Sequence, residues 1–135
     1  MTRGLFLRAD TDRQTVMAVW RRVMGVLCER YPAWQLDSFT CIDEETDPEG
    51  AYTSREFTRW LDAEHYILFA RAFGYAGEAV RETICDYEDY QRAACRCAVL
   101  CVDGGYFEIY CKDENVLEAL HADAELRALC DRFEY

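Results

Sequence analysis

Apolar residues recur at helical spacing in the first quarter of the chain. From residue 16 onward they occupy positions 16, 17, 19, 20, 23, 24, 27 and 28, which form one stripe along an α-helix. Thr11 followed three residues later by Gln14 fits a capping box at the start of this helix. Pro32 disfavours helical backbone in the residue before it. The pattern therefore predicts a long amphipathic helix that ends near Arg30.

A β-hairpin is the clearest prediction in the second half of the chain. Two runs rich in β-branched and aromatic residues, within 95–112, flank Asp103-Gly104-Gly105, and glycine supplies the positive φ of a tight turn. With Gly104 and Gly105 as the two turn residues, side-chain alternation assigns a wholly apolar set to the core. This set is Ala98, Leu100, Val102, Phe107, Ile109 and Cys111. The opposite, mixed face would carry Cys95, Cys97, Val99, Cys101, Tyr106, Glu108, Tyr110 and Lys112.

Weaker patterns predict the remaining elements. Strands are expected at 3–9, 34–42 and 65–75. The last of these is apolar on both faces, as a central strand is. Thr53 and Glu56 fit a second capping box, and helices are expected to follow Asp113 and Asp123. Residues 78–94 are interpreted as a short strand followed by a loop or a helical turn.

These elements predict one α+β domain over residues 1–135, with a mainly antiparallel sheet of four to six strands and two or three helices packed on one face. The first two strands and the helix between them fit either a right-handed parallel crossover or an antiparallel arrangement, and both readings stay open. Arg71 inside the apolar run must reach a carboxylate or the edge of the sheet, because a buried unpaired charge is costly.

The composition indicates how this domain is stabilised and in which cellular compartment it is expected. A chain of 135 residues is long enough to bury a core without disulfides or metals. No run approaches the roughly 20 apolar residues of a membrane span, and charged residues come too early for a signal peptide. The expected location is the cytoplasm, where the eight cysteines would be reduced thiols that pack as small hydrophobic side chains.

The net charge of −11 argues against a nucleic-acid or anionic-membrane partner, because a protein binds either of them mainly through its own lysine and arginine side chains. An acidic surface suits a basic protein partner instead. The acids predicted to form such a surface are Glu44, Glu45, Asp47, Glu49, Asp86, Glu88 and Asp89. The acidic stretch 43–50 lacks the regular spacing of a calcium-binding loop, so a solvated loop is favoured over a metal site.

Three cysteines form the most suggestive cluster for chemistry. Cys95, Cys97 and Cys101 would point the same way on a strand, and a zinc site would need a fourth ligand such as His121 or Cys130. Residues two apart on a strand lie about 6.5–7 Å apart, which is too far for one tetrahedral ion. Packing thiols are therefore the favoured interpretation, and no cofactor is predicted.

No motif for catalysis is present. His65 and His121 are the two histidines, and neither lies in a local signature with a nucleophile. The sequence thus favours a non-enzymatic binding protein that acts through its surface. The alternative is a small enzyme or ligand-binding protein. Its pocket would be formed by Cys97, Cys101, Glu108, Tyr110 and Lys112.

Two short segments carry a resemblance. Arg3-Gly-Leu-Phe6 and Tyr106-Phe-Glu-Ile-Tyr-Cys-Lys112 resemble small uncharacterised bacterial proteins that have no assigned function. The resemblance covers less than a fifth of the chain and implies a bacterial, cytoplasmic protein of one domain. It implies nothing about a mechanism.

Overall fold

The computed structural model describes residues 4–9, 12–42 and 48–135. Within them, seven antiparallel strands form one sheet, in the order β3-β2-β4-β5-β6-β1-β7. The strands are β1 Gly4–Ala9, β2 Ala33–Ile42, β3 Gly50–Thr53, β4 Tyr66–Tyr75, β5 Cys97–Val102, β6 Tyr106–Cys111 and β7 Cys130–Glu134. The helices are α1 Arg13–Arg30, α2 Ser54–Asp62, α3 Tyr87–Arg92, α4 Glu114–His121 and α5 Ala124–Leu129.

The α+β class is confirmed, but the predicted number of four to six strands is too low. The two strands that the sequence analysis missed, β3 and β7, are the short edges of the sheet. Edge strands lie half in solvent and need no alternating apolar pattern. The first two strands are not neighbours, because β4, β5 and β6 lie between them. The four antiparallel pairings from β2 to β1 make these two strands run in the same direction. The helix α1 therefore joins them as a parallel crossover, and the antiparallel alternative is wrong.

Among the described residues, four of the five helices (α1, α2, α4 and α5) cover one face of the sheet, which we call the helix face. The predicted number of two or three helices is therefore too low. The apolar stripe of α1 is buried there as predicted, and Trp20 and Leu27 are fully enclosed. The N-cap of α1 is Asp12, whose carboxylate accepts the backbone N–H of Thr15. The predicted cap, Thr11, lies outside the described residues.

The capping box of α2 is confirmed. Thr53 accepts the N–H of Glu56, while the Glu56 carboxylate accepts the N–H of Thr53. This cap fixes the start of the helix and directs Phe57 into the core, where its ring meets Trp20 with centroids 6.4 Å apart. A capping residue of this kind contributes typically about 1 kcal/mol.

The hairpin forms where it was predicted, but its register differs by one residue. The loop has three residues, 103–105, and both Asp103 (φ 52°) and Gly104 (φ 75°) adopt left-handed backbone. Val102 consequently faces Tyr106 instead of Phe107. A slip of one residue moves every side chain of a strand to the other face. The predicted faces of β5 are therefore wrong, whereas those of β6 are right.

The other face of the sheet, which we call the second face, is only partly covered. Residues 76–86, the strap, connect β4 to α3, and together with α3 they pack over a small apolar cluster that includes Phe73, Tyr90 and Ala98. The rest of this face is open, and Phe69, Val102 and Tyr106 are 42%, 43% and 46% exposed.

Candidate functional site

The strap is held to the sheet by one carboxylate. Glu82 accepts a hydrogen bond from the Tyr75 hydroxyl at 2.6 Å and another from the Ala94 backbone N–H at 2.8 Å. The Ile84 side chain is 4% exposed and packs into the cluster below. Burial and the neighbouring Glu82 raise the pKa of Tyr75 well above its usual range, so this hydroxyl stays a donor at neutral pH.

A small cleft of about 260 Å³ lies between the strap, α3 and strands β4 to β6. Its walls combine aromatic rings with charged groups. They are Arg71, Phe73, Ile84, Cys85, Asp86, Tyr87, Tyr90, Ala98, Leu100, Glu108 and Tyr110. The lining residues belong to two parts of the fold. The sheet forms the floor of the cleft, and the strap and α3 form its rim.

Three tyrosines form the wall of the small cleft on the side of α3. The ring centroids of Tyr87 and Tyr110 are 5.3 Å apart with the planes at 57°, and Tyr90 lies within 5.9 Å of both rings. The Tyr110 hydroxyl donates to Glu108 Oε1 at 3.3 Å. Burial and the Glu108 carboxylate raise the pKa of Tyr110 to about 12, so the tyrosine wall is neutral and Glu108 supplies the negative charge.

A second, wide cleft of about 640 Å³ lies on the opposite side of the strap, toward β2 and β3. Arg71, Phe73, Ile84 and Cys85 line both clefts. Among the described residues, five carboxylates and two guanidinium groups line the two clefts, which leaves an excess of negative charge. These groups are Asp37, Glu49, Glu82, Asp86, Glu108, Arg71 and Arg81.

Arg71 reaches a carboxylate, as the sequence analysis required. Its Nη1 atom lies 3.3 Å from Asp37 Oδ2, and its guanidinium lies 5.3 Å from the centre of the Phe73 ring. The positive charge is thus compensated from the side of the wide cleft. The small cleft keeps Asp86 and Glu108 as its two carboxylates.

The predicted acidic surface is only partly described. Glu44, Glu45 and Asp47 lie outside the described residues, while Glu49 is exposed and lines the wide cleft. The other acids cluster at the start of α3. Asp86 caps that helix, Glu88 is exposed, and Asp89 accepts the Cys85 N–H and pairs with Arg92. The Cys85 N–H and the Arg92 guanidinium hold the pKa of Asp89 below its usual range.

The alternative pocket of five residues is not formed, because the register of β5 divides it. Cys97 and Cys101 point to the helix face, where they are 0% and 2% exposed. Glu108 and Tyr110 line the small cleft on the second face. Lys112 lies beyond it, where its ammonium donates to the Ala93 carbonyl.

The Cys85 thiol lines both clefts, but no histidine lies there with it. Burial raises the pKa of Cys101 to about 12 and that of Cys97 well above its usual range, so both thiols stay protonated at neutral pH. His65 stacks on Trp60 with ring centroids 3.7 Å apart, and His121 lies against Phe133. Neither histidine lines the small or the wide cleft.

Several cleft residues escaped the sequence analysis. Phe73 and Leu100 were interpreted as core, and Ile84 as part of a short strand, because the path of an irregular strap leaves no periodic signal. The signal that was available is Asp86, an N-cap residue directly before Tyr87. It marks the point where the strap ends and α3 begins.

In the part of the chain that the structure describes, no helix combines the length and apolar character needed to cross a membrane. A family model described as protein of unknown function (DUF2691) matches residues 34–133, which include every residue that lines the two clefts. The uncharacterized protein YncE of Bacillus subtilis (strain 168) is 29% identical over 135 residues, covering 92% of this chain and 85% of that protein. No solved structure matches the chain. The resemblance to uncharacterised bacterial proteins is thus confirmed.

Proposed function

We propose that this chain, which belongs to the DUF2691 family of proteins of unknown function, is a non-enzymatic binding protein. It would act through its surface on a basic protein partner. The observation that supports this most is the pair of clefts on the second face. Carboxylates from β6, the strap and β2 converge there around aromatic side chains, and charge of this sign selects a positively charged partner.

The open half of the second face supports the same function. Phe69, Val102 and Tyr106 are exposed on neighbouring strands β4 to β6, beside the small cleft. Protein interfaces combine such apolar and aromatic groups with a polar rim. Asp86 and Glu88 would belong to that rim, where charge governs the rate of association more than the affinity.

The size of the small cleft favours a partner's side chain over a cofactor. Pockets for small organic ligands usually measure about 300–1,000 Å³, and the small cleft holds about 260 Å³. We expect the partner to act in the cytoplasm, because a reducing compartment suits eight cysteines, four of which are buried as free thiols.

Titration of a synthetic basic peptide, alternating glycine and arginine, tests this function by calorimetry at low and moderate salt. The informative variant is Glu49→Gln/Glu88→Gln, which removes two exposed charges beside the clefts. The matched control is Glu64→Gln/Glu118→Gln, which removes two exposed charges elsewhere. We expect the first variant alone to weaken binding at least fivefold. Equal weakening in both variants, or no binding to the wild-type protein, would contradict the proposal.

A further inference from the structure

The small cleft has the chemistry of a cage for one positively charged group. Phe73, Tyr87 and Tyr110 line it with aromatic rings, and Asp86 and Glu108 add two carboxylates. Aromatic rings attract cations through their negative faces, most strongly where water is excluded. We infer that the small cleft is the subsite for a single arginine side chain of the basic partner, an inference that rests on the proposed function.

Two of the chain's own cations lie over aromatic rings of these walls. The Lys112 ammonium lies 4.9 Å from the centre of the Tyr90 ring, on the outer side of the tyrosine wall. The Arg71 guanidinium lies 5.3 Å from the centre of the Phe73 ring. The Tyr87 and Tyr110 rings, which meet at 57°, also line the cleft.

Aromatic walls next to a carboxylate favour a guanidinium over an ammonium group. A guanidinium is planar, stacks on aromatic faces and donates two parallel hydrogen bonds to one carboxylate. Glu108 stands in the floor of the cleft on β6, and Asp86 stands at the rim where the strap ends. A planar group that lies against Tyr110 therefore has a carboxylate below it and another at the entrance.

Arg71 in the wall does not oppose this assignment. Its guanidinium pairs with Asp37, which lines the wide cleft and not the small one. The local balance inside the small cleft, with that pair counted as neutral, is two negative charges. An arriving guanidinium meets those charges in a cleft that protein lines on several sides, where electrostatic attraction is stronger than at an open surface.

Nuclear magnetic resonance titration with N-acetyl-arginine N-methylamide tests the subsite without the partner. We expect saturable shifts of the backbone amides of residues 84–87 and 108–110, with a dissociation constant in the millimolar range. The citrulline analogue has nearly the same shape but no charge, and it should bind at least tenfold more weakly. Equal binding of the citrulline analogue, or tighter binding of the lysine analogue, would overturn the inference.

Variants separate the cage from a general effect of charge. Glu108→Gln and Tyr87→Leu should each weaken binding of the arginine analogue at least fivefold, while Tyr87→Phe, which keeps the ring, should bind like the wild-type protein. The matched control for the ring is Tyr106→Leu, on the same sheet face but outside the small cleft. If Tyr106→Leu weakens binding as much as Tyr87→Leu, the cleft is not the subsite.

The two proposals fail in different ways. If the basic peptide binds and depends on Glu49 and Glu88, but the arginine analogue leaves the cleft amides unshifted, the arginine subsite is wrong and the proposed function stands. If the analogue binds in the cleft but the peptide does not bind the protein, the subsite stands and a basic protein partner is wrong.

Discussion

Removing the Glu82 carboxylate should loosen the strap, because this one side chain joins it to β4 and to the segment between α3 and β5. Glu82→Ala deletes the bond from the Tyr75 hydroxyl (2.6 Å) and the bond from the Ala94 N–H (2.8 Å). The Tyr75 hydroxyl also lies 2.9 Å from the Val80 carbonyl, so it keeps one acceptor. The Ala94 N–H keeps only water.

The magnitude follows from these two bonds. Hydrogen bonds to a charged group contribute about 1.5–3 kcal/mol each, and the half-buried position of Glu82 favours the lower end. Because the Tyr75 hydroxyl keeps the Val80 carbonyl as an acceptor, its bond to Glu82 counts only in part, and the free energy of strap opening should fall by about 2–3 kcal/mol in total. Because each 1.4 kcal/mol is a factor of ten, amide hydrogen exchange in the strap should accelerate by roughly 30- to 150-fold.

Hydrogen–deuterium exchange read by mass spectrometry measures this directly. Peptides that cover 80–94 should exchange faster in Glu82→Ala, while peptides from β7, at the far edge of the sheet, should exchange at the wild-type rate. The matched control is Glu78→Ala, which removes an exposed carboxylate from the same strap. Strap rates within twofold of the wild type, or equal acceleration in β7, would refute the assignment of Glu82 as the anchor.

Two further predictions concern the free energy of unfolding of the protein, measured by urea denaturation. Gly74→Ala should lower the free energy of unfolding by about 1–3 kcal/mol, because a Cβ atom there would lie 2.8 Å from Cη2 of the fully buried Trp34. The control Gly77→Ala has nothing within 4 Å of its Cβ and should change stability by less than about 0.5 kcal/mol. Equal losses of stability in the two variants would contradict the steric argument. Asp113→Asn should cost about 1–2 kcal/mol at neutral pH, since hydrogen bonds from Arg96 and a tyrosine hold the pKa of the Asp113 carboxyl below its usual value. A carboxyl whose pKa is lower in the folded state stabilises the protein above about pH 4, and this stabilisation is lost as the pH falls through the pKa of the folded state. The difference in unfolding free energy between wild type and Asp113→Asn should therefore disappear in acid. A difference that stays constant with pH would refute this role of Asp113.

The sequence predicted elements well wherever a local signal was complete. Thr53 and Glu56 satisfy each other's backbone groups within four residues, so the start of α2 could be placed without knowledge of the fold. The apolar stripe of α1 runs from position 16 to position 28, roughly three and a half helical turns, and leaves no ambiguity about the buried face. Arg71 was predicted to find a carboxylate because burial makes an isolated charge costly, although its partner, Asp37, could not be named.

The hairpin shows where such reasoning fails. Every residue of β5 is apolar, from Cys97 to Val102, so its pattern fits either face equally well. Only the loop length decides the register, and Asp103-Gly104-Gly105 suits a loop of two or of three residues. That single ambiguity moved Cys97 and Cys101 into the predicted pocket. The small cleft itself depends on where an irregular strap crosses the sheet, which no local pattern encodes.

The position of β1 has a consequence for the order in which the protein folds. Leu7 pairs with Phe107 on one side and with Phe133 on the other, so β1 is enclosed by two strands that follow it at long distance in the described chain. Closing such long loops costs chain entropy before any contact repays it. We expect β2 to β5 to assemble around α1 and α2 first, with β1 inserted late as the step that completes the sheet. Until β1 is inserted, one edge of β6 has no partner strand. An unpaired strand edge can pair with another chain, so we expect the protein to be most prone to aggregation at this stage.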